Sequence, residues 1–138
     1  MLAALRAKLP YVVTFHQGGH SKRVRKSVTP LQGLVLRPLL AHAERVTVLY
    51  VKGGNEVPGP PAEQAAQYLQ RNGVAAKLMS VELAGRSTGE AILAEAQSLG
   101  CDLLIKGAYT QSRLRQMIFG GATRHILANA TLPVVMAN

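Results

Sequence analysis

Short runs of β-branched and apolar residues alternate along the chain with segments typical of amphipathic helices, and this alternation restricts the fold most. Strands are predicted at residues 11–15, 46–51, 74–83, 102–107 and 132–136. Strands separated by helices are joined by right-handed crossovers, which produce a parallel sheet covered on both faces. The sequence therefore predicts an α/β fold, a three-layer α/β/α sandwich with a mostly parallel five-stranded sheet.

The helix boundaries are marked by residues with known capping chemistry. Ser87 and Glu90 have the spacing of a capping box, in which each side chain binds the other residue's backbone amide. Pro61 can open a helix that ends at Asn72-Gly73, and a further helix is predicted at residues 122–130. The segment 74–83 alternates only loosely, which favours an edge strand.

The composition is that of one globular domain covering residues 1–138. Hydrophobic residues make up 48% of the chain, but aromatic residues only 4% and tryptophan is absent, so the core must consist of small aliphatic side chains. The single cysteine, Cys101, excludes a disulfide framework and is predicted to be a buried, inert thiol. Residues 1–10 are too short and too polar for a signal peptide or membrane span, so the cytoplasm is expected and no membrane contact.

The net charge of +9 is concentrated near the start of the chain, since residues 1–43 contain seven basic residues and no carboxylate. The basic segment 18–27 is either a phosphate- or nucleic-acid-binding loop or a solvated surface loop. Nucleic-acid binding is not the favoured hypothesis, because no aromatic platform is interleaved with the charges. A third hypothesis is that residues 1–35 are not a native family segment, through a reading-frame shift or a cut from a longer tandem protein.

The segment between Gly107 and Thr123 is the strongest candidate for a ligand site. Gly107 ends a predicted strand, and Gly120-Gly121 directly precedes a predicted helix. Ligands of open parallel sheets bind beyond the carboxyl ends of the strands, and a helix start with unpaired amides favours an anion. Thr123 adds a hydroxyl donor. The alternative is a plain crossover turn whose glycines serve only the backbone.

Residues 101–136 resemble the C-terminal part of the universal stress protein family, in residue type and in spacing, like the C-terminal domain of tandem bacterial members. The resemblance continues more weakly upstream through residues 37–49. It implies an adenine-nucleotide alpha-hydrolase-like fold. Members that bind ATP have the pattern Gly, two residues, Gly, nine residues, Gly, then Ser or Thr. Gly107 and Gly120 occupy the first and third positions of that pattern.

The same resemblance implies where a nucleotide would lie. Lys106 and Gly107 would border the ribose and adenine, and the phosphates would lie along Thr110, Gly120, Gly121, Ala122 and Thr123. Thr110 replaces the second glycine of the pattern, and Gly121 replaces the Ser or Thr. The aspartate that usually ends the first strand is missing near residues 15–17. The resemblance therefore predicts weak ATP binding.

No arrangement typical of a turnover enzyme or a metal site is present. The seven carboxylates are scattered, and His16 and His20 lack a suitable third ligand. The prediction is a regulatory stress-response module with weak ATP binding that forms a homodimer through its C-terminal strand. Two alternatives remain: a dimeric stress protein that acts only through protein contacts, and a basic accessory domain that binds nucleic acid through residues 18–27.

Overall fold

The structure, a computed structural model, describes residues 10–14, 39–53, 61–107 and 121–137. Residues 39–41 are helical and lead into the first long strand. The elements in chain order are β1 (Pro10–Thr14), β2 (Arg45–Lys52), α1 (Ala62–Arg71), β3 (Ala76–Glu82), α2 (Thr88–Ser98), β4 (Leu103–Gly107), α3 (Gly121–Asn129) and β5 (Val134–Ala137).

The strands form one five-stranded sheet with the order β3-β2-β1-β4-β5, and every pairing in it is parallel. Strand β1 lies at the centre, where Tyr11 pairs with Val46 on one side and with Leu103 on the other. Both β3 and β5 are edge strands, and the edge position of β3 confirms the prediction made from its loose alternation. The chain fills one half of the sheet through β2 and β3 and then crosses to the other half through β4 and β5.

The predicted cap residues lie at the helix boundaries, as expected. In α2 the Ser87 amide donates to Glu90 Oε2 at 2.7 Å, and the Glu90 amide donates to Ser87 Oγ at 3.3 Å. This reciprocal pair confirms the predicted capping box. Helix α1 follows Pro61 and ends at Asn72, and Gly73 then adopts a φ of 79° that a residue without a Cβ reaches at no steric cost.

Two apolar clusters, one on each face of the sheet, give the domain its three layers. The first contains the inner face of α1, with residues such as Ala65, Ala66 and Leu69 packed on Val48 and Ile105. The second holds α2 and α3 against the opposite face and contains Leu49, Val51, Val81, Ala91, Ile92, Leu104 and Ile126. These are mostly small aliphatic side chains, as the composition predicted, and the α/β/α sandwich is confirmed.

The last two elements are displaced slightly from their predicted bounds. Helix α3 begins at Gly121 rather than at residue 122, and β5 begins at Val134 rather than at residue 132. Pro133 explains the second shift, because it has no amide to donate and only its carbonyl takes part, accepting the Leu104 amide at 3.0 Å.

Cys101 and Asp102 lie side by side where the chain enters β4, at the amino end of the sheet. The thiol is half-buried, and desolvation together with the neighbouring Asp102 charge raises its pKa. Both carboxylate oxygens of Asp102 are buried, and neither accepts a hydrogen bond from another residue in the described part of the chain. Burial raises the pKa of Asp102, because the charged form loses hydration, and a hydrogen bond from its own backbone offsets only part of this effect.

Ionisation of the Asp102 carboxyl should lower the free energy of unfolding as the pH rises. Its pKa is higher in the folded state than in the unfolded chain, so the native state favours the protonated form, and stability falls as pH increases through that window above pH 4. Asp102→Asn removes this titration. We expect the free energy of unfolding of wild type, relative to that of Asp102→Asn, to fall between pH 4 and pH 7.

Urea unfolding of both proteins across that pH range measures the difference. A constant difference between them would show that the Asp102 carboxyl titrates alike in the folded and unfolded states.

Candidate functional site

The candidate site lies at the carboxyl ends of β1 and β4. This is the switch point of the sheet, where the order in which strands are added reverses. Connections from β1 lead to one side of the sheet and β4 begins the other side, so the crevice beyond these two strands is not closed by a crossover between them. Thr14 of β1 pairs with Lys106 of β4, and Gly107 ends β4. The structure thus places the predicted residues Lys106 and Gly107 at the position where open α/β sheets bind ligands.

Lys106 is a buried cation, with only 4% of its surface exposed. Successive residues of a strand face opposite sides of a sheet, so Lys106 faces the same side as Leu104, which packs with Ile92 and Ile126 beneath α2 and α3. Desolvation lowers the pKa of the Lys106 ammonium. A basic side chain therefore stands on the α2/α3 face at the carboxyl end of the central strands.

The first turn of α3 lies at the same end of the sheet and on the same face. Helix α3 follows β4 and leads into the parallel strand β5, so its amino terminus is at the carboxyl end of the sheet. Gly121 is exposed, and a Cβ added there would meet no atom of the described residues within 4 Å. Ala122 is half-buried, and Thr123 is buried with 8% exposure, one turn before Ile126.

Several predicted residues lie outside the described part of the chain. Of the predicted site these are Thr110 and Gly120, and the basic segment 18–27 with His16 and His20 also falls outside. Of the predicted nucleotide-site residues the structure therefore describes Lys106, Gly107, Gly121, Ala122 and Thr123.

Carboxylates at this end of the sheet already have partners. Glu82 ends β3 and forms an exposed ion pair with Lys52 of β2, with Nζ and Oε1 3.2 Å apart. Glu90 accepts the Ser87 amide, and this hydrogen bond is the main reason why the pKa of Glu90 is lowered. Both carboxylates are thus engaged by neighbouring residues.

Within the described ranges, no three His, Cys, Asp or Glu side chains are grouped closely enough to hold a metal ion. No described helix has the length and apolar character needed to cross a membrane.

Sequence reasoning missed the role of Gly89, which lies in the first turn of α2. A Cβ at Gly89 would lie 2.8 Å from the His125 Cβ and 2.9 Å from the Ala122 carbonyl oxygen of α3. These distances are too short for a real Cβ, so the glycine allows α2 to approach the first turn of α3. A glycine inside a helix with a complete capping box was the available signal, because glycine costs helix stability and needs a reason to be there.

Comparison with known proteins agrees with the α/β fold. A sequence model of the universal stress protein family matches residues 34–138. The chain belongs to the universal stress protein family. The resemblance of residues 101–136 to that family is thereby confirmed, and the match begins close to residue 37, where the weaker resemblance starts. Strand β1, the central strand, precedes the matched region.

Solved structures of universal stress proteins share the fold. The protein from Archaeoglobus fulgidus is 17% identical with a TM-score of 0.64, and the alignment covers 94% of this chain and 98% of that one. UspA from Lactobacillus plantarum is 15% identical with a TM-score of 0.60, covering 95% of this chain and 98% of that one. Among curated proteins no sequence matches the chain significantly. At these identities the structures establish the fold alone.

Proposed function

We propose that this universal stress protein is a regulatory module that binds adenine nucleotide weakly at the β1/β4 switch point. The observation that carries the proposal is the exposed, open start of α3 at Gly121, on the same end and face of the sheet as Lys106. Family resemblance supplies the adenine nucleotide as ligand, with Gly107 beside the nucleoside and the first turn of α3 beside the phosphates.

Helix geometry supports the phosphate end of this proposal. The first amides of a helix have no acceptor within it, and the helix dipole adds partial positive charge at that end. Gly121 has no side chain, so an anion can approach these amides closely. Weak rather than tight binding follows from the sequence, because Gly121 lacks the hydroxyl that the family pattern has at its position.

Nucleotide acts as a signal in this proposal, and the protein is not an enzyme. Among the described residues at this end of the sheet, the carboxylates Glu82 and Glu90 are held by Lys52 and by the Ser87 amide. A general base must be within reach of the proton it removes, and both are committed to other partners. The cytoplasm is the proposed location, where adenine nucleotides are available as ligands.

Substitutions at Gly121 test phosphate binding. Gly121→Asp places a carboxylate where the phosphates would lie, and we expect it to weaken ATP binding at least about tenfold. Gly121→Ser restores the hydroxyl of the family pattern and should strengthen binding about two- to tenfold. Isothermal titration calorimetry with ATP at moderate ionic strength measures both changes.

The Gly121→Asp variant should remain folded, because a carboxylate in the first turn of a helix is favourable. Thr131→Asp, exposed beyond the other end of α3, gives the same change in net charge and should bind ATP as wild type does. Absence of binding heat with wild type at millimolar ATP, or equal affinity of the two aspartate variants, would refute the proposal.

We also propose that the protein is a homodimer joined through the edge strand β5. The bond from the Leu104 amide to the Pro133 carbonyl, with Val134 opposite Leu104, fixes which backbone groups face β4. In a parallel sheet, the backbone amide and carbonyl of one residue face one neighbouring strand, and those of the next residue face the other. The amide and carbonyl of Met136 therefore face away from β4. An edge with outward donors and a 39% exposed methionine is suited to pairing with a second copy.

Met136→Pro removes the outward amide and leaves the bonds to β4 in place, since proline is tolerated on a strand edge. We expect wild type and the control Met136→Leu to sediment as dimers and Met136→Pro as a monomer in analytical ultracentrifugation. Circular dichroism checks that the proline variant keeps its fold. A monomeric wild type, or a proline variant that stays dimeric, contradicts this interface.

A further inference from the structure

The outer side of α3 carries a large apolar side chain that the fold leaves in water. Leu127 is 58% exposed, more than any other large hydrophobic residue in the described part of the chain, whereas the adjacent Ile126 is fully buried. Burying such a side chain against another surface is favourable by roughly 1.5–3 kcal/mol. The surroundings of Leu127 show which surface that is.

Helix geometry places Leu127 above the outer edge of the sheet. Helix α3 approaches α2 through Ala122 and His125, which adjoin Gly89. Leu127 follows His125 by two residues, about 200° further around the helix, and therefore lies on the side opposite α2. Helix α2 contacts β2, an inner strand, and β5 is the outermost strand of this half of the sheet. The side of α3 opposite α2 is thus the side of the β5 edge.

Strand β5 presents apolar side chains to the same edge. Val134 packs against the cluster beneath α2 and α3, together with Ile126. Met136 is two residues further along the strand, so it faces the same side of the sheet as Val134, and it is 39% exposed. Leu127, Val134 and Met136 are called the α3/β5 strip below. Exposed apolar residues grouped at one edge are typical of an interaction surface.

The strand edge alone is too small to hold two copies together. Strand β5 has four residues and is about 13 Å long, whereas a stable interface buries about 800 Å² of each partner. The α3/β5 strip adjoins this edge and is apolar, like the core of homodimer interfaces. A second copy that pairs with β5 therefore needs the strip to complete its contact area.

The outward backbone groups of β5 determine the register of such a pair. Val134 and Met136 both face away from β4, because the Pro133 carbonyl faces it. A two-fold axis makes the paired strands antiparallel. All outward groups of the strand are then used when Val134 lies opposite the partner's Met136, with the axis at Val135. Opposite residues share a face, so the partner's Met136 lies on the α3 side, where Leu127 adjoins Val134.

We infer that Leu127 anchors the homodimer by packing against the partner's Met136, so that α3 belongs to the interface together with β5. This inference rests on the proposed β5 interface and adds to it a register and a second element. The partner is a second copy of this chain, because an identical edge provides the same apolar contact twice around the two-fold axis.

Leu127→Gln tests the anchor, because it nearly keeps the size and helix propensity of the side chain and removes its apolar surface. We expect the dissociation constant of the dimer to rise at least about tenfold in sedimentation equilibrium. Leu78→Gln, at a 38% exposed leucine on the opposite edge strand β3, is the matched control and should dimerise as wild type does. Circular dichroism checks that both variants are folded.

A disulfide tests the register. With the axis at Val135, the two Val135 residues are directly opposite each other in a non-hydrogen-bonded pair, where the Cα atoms are about 4.5 Å apart. Val135→Cys in a Cys101→Ser background should therefore form a covalent dimer on mild oxidation. Met136→Cys in the same background should not, because the two Met136 residues are offset along the strands by about 7 Å. Non-reducing gel electrophoresis measures both.

The outcomes distinguish this inference from the proposed β5 interface. If Leu127→Gln dimerises as tightly as wild type while Met136→Pro is monomeric, the anchor is refuted and the β5 interface stands. Cross-linking of Met136→Cys in preference to Val135→Cys overturns the register. A wild type that is monomeric at every concentration, or a Met136→Pro variant that stays dimeric, overturns the β5 interface and this inference with it.

Discussion

The close approach of α2 to α3 at Gly89 is the contact on which the candidate site depends. The first turn of α3 lies at the carboxyl end of the sheet, and α2 is the neighbour of α3 on that face. The Ala122 carbonyl and the His125 side chain occupy the space that a Cβ at Gly89 would need. Helix packing distance is set by the side chains at the contact, so the absence of one here brings the α3 start into position.

Most of the fold follows from local sequence chemistry. The capping box of Ser87, the stop at Gly73 and the apolar runs of β2 and β4 are short-range signals, and each is found where predicted. The start of β5 moved from residue 132 to Val134 because Pro133 has no amide to donate to a neighbouring strand. The position of Lys106 and Gly107 at the carboxyl end of the sheet was also predictable. Strands that alternate with helices form a parallel sheet, so every strand has the same direction.

The parts of the site that sequence did not reveal are those that depend on tertiary packing. Lys106 lies in a motif that identifies the family, and a lysine in a sequence is ordinarily expected to be exposed, so its burial was not predicted. Gly89 lies two residues after the cap residue Ser87, and the need for a glycine there is apparent only from its contact with α3. Asp102 is a charged residue before a strand, and only the folded chain shows that its carboxylate oxygens are buried without a hydrogen bond from another of the described residues. These properties arise from packing between elements, and short-range sequence patterns do not contain them.

The most direct test compares the free energies of unfolding of Gly89→Ala and Gly121→Ala by urea denaturation. Both add one methyl group to the first turn of a helix, which raises helix propensity by up to about 1 kcal/mol. At Gly121 the space is open, so the variant should be as stable as wild type or more stable. At Gly89 the methyl group meets α3, and we predict a loss of about 1–3 kcal/mol. Equal stability of the two variants would contradict the close approach that positions the site.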